Sequence, residues 1–291
     1  MRTQNAPCHI TVLIATSMER TQRLLTTSLP SVYQQQSIDA RNVSIIIVDD
    51  NNPYPISHEY AKIKQGVFSL RHQLGLHKHA FSTQILPNTR TKGNSGTGAW
   101  NTGIYHAYSS QPHGYISILD DDDEYLPNHL SDCLKIITSK RSAIAVFQRL
   151  YWQNADGTTL HFPLTKQALS PRSFFIGNPG VQGSNMFFKT SALIQIRGFD
   201  ETFPNTTDRE LMIRFLWHAT QTDQLQSVYV SESLGVIRHN HSQVSVNNQL
   251  GRKQKGLNLF YKKFRSSFSE DDFTLSLKRA KQFFNYIPQS S

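Results

Sequence analysis

Short apolar runs that end in polar residues dominate the first half of the chain. HITVLIATS (residues 9–17), NVSIIIVDDNNP (42–53) and GYISIL (114–119) each follow this pattern, which is typical of buried strands. Between the first two runs lies a helical pattern that places Leu24 and Leu29 on one side. A strand–helix–strand order implies parallel pairing with a right-handed crossover. The pattern therefore predicts an α/β fold with a mostly parallel sheet flanked by helices.

The rest of the chain predicts less regular elements. Thr207 and Glu210 match a capping box at the start of a helix, and residues 54–92 offer only one weak strand candidate. The further predicted elements are strands at 81–86, 142–152 and 184–188, one or two strands within 227–241, a Gly-rich turn entering a helix at 93–110, and helices at 207–219 and 269–284.

Composition narrows the class of protein. The chain has 291 residues, of which 38 % are hydrophobic, so it can bury a full core. No run approaches the ~20 apolar residues of a membrane span, and the N-terminal stretch has no apolar signal-peptide core. Cys8 and Cys133 are the two cysteines, too few for a disulfide framework or a zinc spacing. We therefore expect a reducing, cytoplasmic setting.

Positive charge is concentrated at the C-terminal end. The formal net charge is +9, and nine basic and three acidic residues give the last 41 residues +6 of it. A nearly neutral body argues against nucleic acid as a partner. We expect a domain over residues 1–248 and a basic amphipathic helical tail over 249–291. The apolar face of the tail either covers the domain or makes a peripheral contact with the inner face of an anionic membrane.

Polar side chains follow three of the predicted strands. Thr16-Ser17, Asp49-Asp50 and the run Asp120 to Asp123 stand at these strand ends, and ligands bind beyond the carboxyl ends of parallel strands. Adjacent carboxylates about 6 Å apart repel by roughly 3 kcal/mol at an effective dielectric near 20, so an offsetting charge is expected. A solvated acidic loop is one explanation of the run. A divalent metal bound together with a nucleotide diphosphate is the other.

Five segments in order give the chain a resemblance to family 2 glycosyltransferases of the GT-A fold. They are ITVLIATSMER, SIIIVDDNN, NSGTGAWNTGI, GYISILDDDDEYLP and IRGFDETFPNTTDRELMIRF, and the resemblance extends roughly from Ile10 to Asn247. It implies a Rossmann-like GT-A domain with a nucleotide-binding half over about residues 1–125 and an acceptor half over about 126–248, followed by the helical extension.

The resemblance also implies roles for particular residues. Those expected to hold the donor nucleotide are Thr16, Ser17, Asp50 and Asp120. Those expected to bind the metal, Mn²⁺ or Mg²⁺, are Asp122 and His241, with His239 as the alternative to His241. Asp208 matches the catalytic base, and Gln182 and Ser184 are expected on the acceptor side of the pocket. An acid in a first helical turn can also serve only the helix dipole, which would hold the pKa of Asp208 low.

Two positions depart from the family pattern. Trp100 stands where the family usually has an arginine before the residue matched by Asn101, so Arg90 or Lys92 would have to supply any missing ionic contact. Thr207 stands where a glutamate usually precedes the base. These departures bear on the acceptor half more than on the donor half.

The implied activity is transfer of a sugar from a nucleotide-diphosphate sugar, with a UDP-sugar favoured, to an acceptor hydroxyl. The reaction would be a metal-assisted single displacement with inversion, and the acceptor a glycan, a lipid-linked molecule or a small molecule. An inactive nucleotide-sugar-binding homologue is one alternative. A sugar-1-phosphate nucleotidyltransferase is a weaker one, because such enzymes need a Gly-rich basic loop where this chain has ATSMERTQ.

Overall fold

The computed structural model of the chain describes residues 8–17, 20–51, 58–240 and 246–288. The strands are β1 (Ile10–Thr16), β2 (Val43–Asp49), β3 (Ser82–Pro87), β4 (Tyr115–Asp120), β5 (Glu124–Tyr125), β6 (Ala145–Asn154), β7 (Thr159–His161), β8 (Met186–Lys189) and β9 (Val228–Asn240). The α-helices are α1 (Thr21–Arg23), α2 (Leu29–Tyr33), α3 (His58–Gln73), α4 (Thr97–Ser110), α5 (His129–Ser139), α6 (Pro171–Ile176), α7 (Thr190–Gln195), α8 (Thr207–Gln221), α9 (Val246–Phe264) and α10 (Glu270–Phe284).

One sheet organises these elements, in the order β3-β2-β1-β4-β8-β6-β9-β5, with β7 paired to β6. The strands β3, β2, β1 and β4 are parallel, which confirms the predicted α/β arrangement. In register, Thr16 lies beside Asp49 and Ala15 beside Asp120. The polar residues after β1, β2 and β4 therefore meet at one edge of the sheet.

The second half of the sheet mixes orientations and returns the chain to that edge. β8 is antiparallel to both β4 and β6, whereas β9 is parallel to β6. The far end of β9 then pairs with the short β5, with Ile237 opposite Glu124. Because β5 directly follows the acidic run, this pairing places Arg238 beside the strand-end carboxylates.

Both faces of the central strands are covered, which explains their continuous apolar runs. On β1, Leu13 joins a core cluster with residues of α4 and α8, whereas Val12 and Ile14 join a second cluster with residues of α2, α3 and α5. Alternate side chains of a strand point to opposite faces. The sheet edge at which the polar residues meet is therefore formed by strands that are packed on both faces.

The two C-terminal helices pack on this body. The boundary predicted at residue 248 falls inside α9, and Phe260 and Phe264 are buried in the same cluster as Phe175. The Phe260 and Phe175 rings are stacked with centroids 5.8 Å apart. The apolar face of α9 therefore covers the domain. Within the described ranges no helix is long and apolar enough to cross a bilayer.

Three local predictions need correction or extension. Helix α3 was missed because only Ile63 and Val67 of its 16 residues are buried, which leaves a weak apolar pattern. The segment 227–241 contains a single strand, β9, within its described part. The capping box at α8 was wrong: its N-cap is Thr206, at a φ of 68° and with no side-chain cap, and Glu210 instead pairs with Arg214 and Lys263.

Candidate active site

The acidic run after β4 is a folded turn built on Ser184. The Asp120 N–H donates to the Ser184 Oγ at 3.0 Å, and the Ser184 hydroxyl donates to the Asp123 carboxylate at 2.5 Å. Ser184 and Asp123 are both buried, which argues against the solvated-loop explanation. The expectation that Ser184 lines the pocket needs correction. Its side chain lies beneath the turn, and its hydroxyl group is used in the two hydrogen bonds that hold the turn.

Basic side chains offset the repulsion between the buried Asp121 and the partly exposed Asp122. Arg20 Nη1 lies 2.7 Å from Asp121 Oδ1 and 3.3 Å from Asp122 Oδ2. Arg23 Nη1 lies 3.7 Å from the same Asp122 oxygen. Burial raises the pKa of Asp121 to about 6 and that of Asp123 to about 8, although neighbouring arginines oppose the rise. Sequence reasoning had not assigned either arginine to the site.

A cavity of about 840 Å³, the first cavity, opens at this edge of the sheet. It is lined by all five residues that were predicted to bind donor or to act as the direct metal ligand, namely Thr16, Ser17, Asp50, Asp120 and Asp122. The register of the parallel strands brings them together. Arg20, Asn51, Gly93, Gly96 and Trp100 complete much of the remaining wall.

Asp50 is held in place from the Gly-rich turn. Its carboxylate accepts a hydrogen bond from Asn88 Nδ2 at 2.6 Å and from the Gly93 N–H at 3.2 Å. Burial raises its pKa, although these donors oppose the rise. Gly93 adopts a φ of 68°, in the left-handed region that favours glycine. The Gly-rich turn therefore serves mainly to hold the Asp50 carboxylate in the wall of the first cavity.

A second cavity, of about 580 Å³, contains the predicted base. Asp208 and Gln182 line it, and Asp120 lines it as well as the first cavity. Burial, aided by the negative charge of Asp120, raises the pKa of Asp208 to about 6, against the opposing charges of Arg238 and Lys253. The expectation of a low pKa is therefore wrong, because loss of water outweighs the favourable helix terminus.

The two cavities meet at a set of residues that we call the junction. It comprises Ser95, Trp100, Asp120, Asn205, Arg238, Lys253, Phe283 and Phe284. Arg238 Nη1 donates to Gln182 Oε1 at 3.0 Å and lies 3.7 Å from Asp120 Oδ2. Neither Arg238 nor Lys253 was predicted as a site residue. Arg238 was missed because the neighbouring His239 and His241 were favoured as the site residues of this segment. Lys253 was missed because it was counted as part of the basic tail.

Of the two histidines proposed as metal ligands, only His239 lies within the described residues, and its side chain does not reach the acidic run. His239 Nε2 lies 3.4 Å from Glu124 Oε2, and the side chain lines neither cavity. Successive strand residues point to opposite faces, so the face that presents Arg238 to the cavities turns His239 away. His241 lies outside the described residues.

The remaining metal candidates are carboxylates. Among the residues that the structure describes, no three His, Cys, Asp or Glu side chains form a metal-binding group. Asp120 and Asp122 nevertheless both line the first cavity. Mg²⁺ is typically bound by one or two carboxylates together with substrate phosphates and water. The donor set therefore fits a divalent ion that depends on a phosphate-bearing ligand.

The structure shows what Trp100 does in place of the family's usual arginine. Trp100 is buried, lines both cavities and packs near Phe199, with ring centroids 6.4 Å apart. Arg90 pairs with Glu201, whose carboxylate also accepts from Asn101 Nδ2 at 2.7 Å. Neither Arg90 nor Lys92 lines the first or the second cavity. The aromatic ring thus forms a wall, and no cation replaces the usual arginine from these two positions.

Comparison with known sequences gives one family. Residues 11–197 match the family model described as Glycosyl transferase family 2. None of the curated proteins compared with the chain matches it.

Comparison with solved structures gives proteins of similar fold. TarS of S. aureus superimposes with a TM-score of 0.59 at 13% identity, over 94% of this chain and 44% of the TarS chain, so this chain spans less than half of that protein. Its fragment 1–349, solved with UDP-GlcNAc, gives 0.59 and 13%, over 94% and 73% of the two chains. The mannosyltransferase PcManGT from Pyrobaculum calidifontis, solved with GDP-Man and Mn²⁺, gives 0.59 and 15%, over 95% and 70%.

Proposed function

The chain belongs to glycosyltransferase family 2 and has a GT-A fold, and from that premise we propose that it transfers a sugar from a nucleotide-diphosphate sugar to an acceptor hydroxyl with inversion. A UDP-sugar is the favoured donor, since two of the TarS structures contain UDP or UDP-GlcNAc. Because PcManGT was solved with GDP-Man, a GDP-sugar is the alternative donor to test.

One observation carries this proposal: Asp120 belongs to both cavities, and Asp208 faces the second of them. A donor in the first cavity would direct its anomeric carbon toward the junction. An acceptor in the second cavity would approach that carbon from the side of Asp208. Two substrates entering from opposite sides favour a single displacement, which inverts the anomeric configuration.

A divalent ion, Mn²⁺ or Mg²⁺, would be held by Asp122 with Asp120. When bound it would neutralise charge on the departing diphosphate. The neighbouring Arg20 and Arg23 contact Asp122 and provide positive charge at the same wall. Asp50 would accept hydrogen bonds from the donor nucleotide, supported by its position in the wall of the first cavity beside Thr16 and Ser17.

Asp208 would take the proton of the acceptor hydroxyl while its oxygen attacks the anomeric carbon. The bond between that carbon and the phosphate oxygen breaks, and the nucleoside diphosphate leaves. A pKa of about 6 leaves Asp208 mostly deprotonated at neutral pH yet basic enough to accept the proton. Arg238 adds a fixed positive charge at the junction, where negative charge develops on the leaving group.

The acceptor remains a glycan, a lipid-linked molecule or a small molecule. The second cavity offers it a largely apolar wall that includes Trp152, Leu160, Phe162, Ile176 and Phe283. A peripheral membrane contact remains part of the proposal because Phe283 is exposed. Most of the other aromatic residues of the C-terminal helices, on which that contact was predicted, pack into the core. The cytoplasmic setting stays a prediction from composition.

The test is a thermal-shift and turnover assay of the whole chain. UDP, GDP, UDP-GlcNAc and GDP-Man would each be added with Mn²⁺, and a ligand at 100 times its dissociation constant should add about 2.7 kcal/mol of stability. A nucleotide sugar that stabilises the chain should then release its nucleoside diphosphate. Binding without release, even with candidate acceptors, would identify an inactive binding homologue. No binding of any nucleotide would reject the proposal.

A further inference from the structure

Lys253 occupies an unusual position for a lysine of the C-terminal helices. It lies on α9, beyond the residues matched by the family model, yet it lines both cavities. Gly256, three residues along the same helix face, makes this possible. A Cβ at position 256 would lie 2.7 Å from the Asn205 carbonyl oxygen, so glycine allows α9 to approach the loop before α8 closely.

The ammonium group of Lys253 is oriented but lacks a paired carboxylate. Its Nζ donates to Asn205 Oδ1 at 3.1 Å and lies 4.2 Å from the centroid of the Phe284 ring. Within the described residues no carboxylate lies within ion-pair distance, and Asp208 acts on it only from farther away. An ammonium has three N–H donors, so at least one remains for a ligand in the junction.

A half-buried ammonium of this kind favours an anionic partner. Burial, with the nearby charge of Arg209, lowers the pKa of Lys253 to about 8. A lysine is almost never fully buried unless it is paired, and for this half-buried lysine the described residues supply only an amide oxygen and an aromatic ring. The missing anion would therefore arrive with the substrate.

We propose that Lys253 binds an anionic group of the sugar donor at the junction, either the diphosphate or a carboxylate on the transferred sugar. This inference rests on the proposed donor site. It extends that site to a helix outside the family-matched region and makes the C-terminal segment part of substrate recognition. The two anions share the same chemistry at Lys253 but can be separated by the choice of ligand.

The experiment compares Lys253→Met and Lys253→Arg with Lys255→Met, an exposed lysine two residues along α9. Calorimetry with Mn²⁺ would measure affinity for UDP, UDP-glucose and UDP-glucuronic acid. A diphosphate contact predicts at least tenfold weaker binding of all three to Lys253→Met. A carboxylate contact predicts that loss for UDP-glucuronic acid alone. Lys253→Arg should retain most of the affinity, and Lys255→Met should stay within twofold of wild type.

The outcomes separate this inference from the proposed function. If wild type binds and Lys253→Met matches it within twofold for all three ligands, the inference is overturned and the donor site stands. If wild type binds none of them, both the UDP-sugar donor and this inference fall. If Lys253→Met does not fold, the proton uptake of the wild type on ligand binding decides the question. A bound anion would raise the pKa of Lys253, so binding at pH 8 should be accompanied by uptake of a fraction of a proton. Calorimetry in buffers of different ionisation enthalpy measures this uptake. Its absence would overturn the inference.

Discussion

Arg238 Nη1 lies 3.7 Å from Asp120 Oδ2, although β8 and β6 separate their strands in the sheet. The contact exists because β9 runs past its neighbours to pair with β5, which follows the acidic turn. A fixed cation is thereby placed where the first and second cavities meet. The proposed chemistry depends on this arrangement, since donor and acceptor would meet beside the same carboxylate.

Asp122→Ala should remove nucleotide-diphosphate binding that depends on a divalent ion while leaving the fold intact. Asp122 lines the first cavity in a turn, and its ionic contacts are to Arg20 and Arg23 at the same wall. Calorimetry with UDP, in Mn²⁺ and in EDTA, measures the effect. The matched control is Asp132→Ala, which removes an acid paired with Lys135 on α5. Unchanged affinity of Asp122→Ala in Mn²⁺ would remove it from the metal site.

Asp208→Asn should keep donor binding and lose transfer. The amide preserves the shape of the side chain but cannot accept the proton, and removal of a general base typically lowers the rate by about 10²–10⁴. Donor affinity from calorimetry and transfer rates from nucleotide release would be measured on the same preparation. A variant within about threefold of the wild-type rate would exclude Asp208 as the base.

The pH dependence of transfer gives an independent check on the same residue. Because burial raises the pKa of Asp208 to about 6, its basic form is lost as the pH falls through that value. The kcat/KM of the wild type, which reports pKa values of the free enzyme, should therefore rise between about pH 5 and pH 7 and then level. A kcat/KM that is flat across this range would contradict a rate-limiting proton transfer to Asp208.

Ser184→Ala should destabilise the fold by about 1–3 kcal/mol, the usual cost of leaving buried polar groups without their partner. Ser184 is fully buried and joins the Asp120 N–H to the Asp123 carboxylate. Urea unfolding measures the free energy. Ser139→Ala, an exposed serine on α5, is the control and should change stability by less than about 0.5 kcal/mol. Equal stability of the two variants would show that the bridge contributes little.

Phe260→Ala should cost about 3–5 kcal/mol of unfolding free energy, as is usual for a fully buried phenylalanine. Its ring stacks on Phe175 within the main core. Phe68→Ala is the matched control, because Phe68 is 73% exposed on α3 and should cost under about 0.5 kcal/mol. A loss below about 1 kcal/mol for Phe260→Ala would mean that α9 is a separable tail, as the charge distribution had suggested.

Much of the parallel half of the sheet follows from local sequence pattern. Parallel strands that are buried on both faces need continuous apolar runs, and such runs are visible in β1, β2 and β4. Their polar ends must meet at one edge, since parallel strands share a direction. The convergence of Thr16, Asp50 and Asp120 on one cavity needed no more information than that.

The second cavity and the junction depended on contacts between distant segments. Ser184 was sought in the pocket, but the register of β8 against β4 places it under the acidic turn. Lys253 belongs to a strongly basic segment, and only the packing of α9 against Asn205 selects it from the neighbouring lysines. Such selection cannot be inferred from charge patterns, because solvated and ligand-facing lysines look alike in sequence.

The contrast is sharpest at the end of β9. From the sequence, the resemblance to family 2 glycosyltransferases implied a metal ligand within IRHNH, at His241 or alternatively at His239. The pairing of β9 with β6 contains a register irregularity between Phe147 and Leu150, upstream of Arg238. A one-residue shift moves every following side chain of a strand to the other face. Tertiary pairing alone therefore decided that Arg238 faces the two cavities, whereas His239 lies beside Glu124.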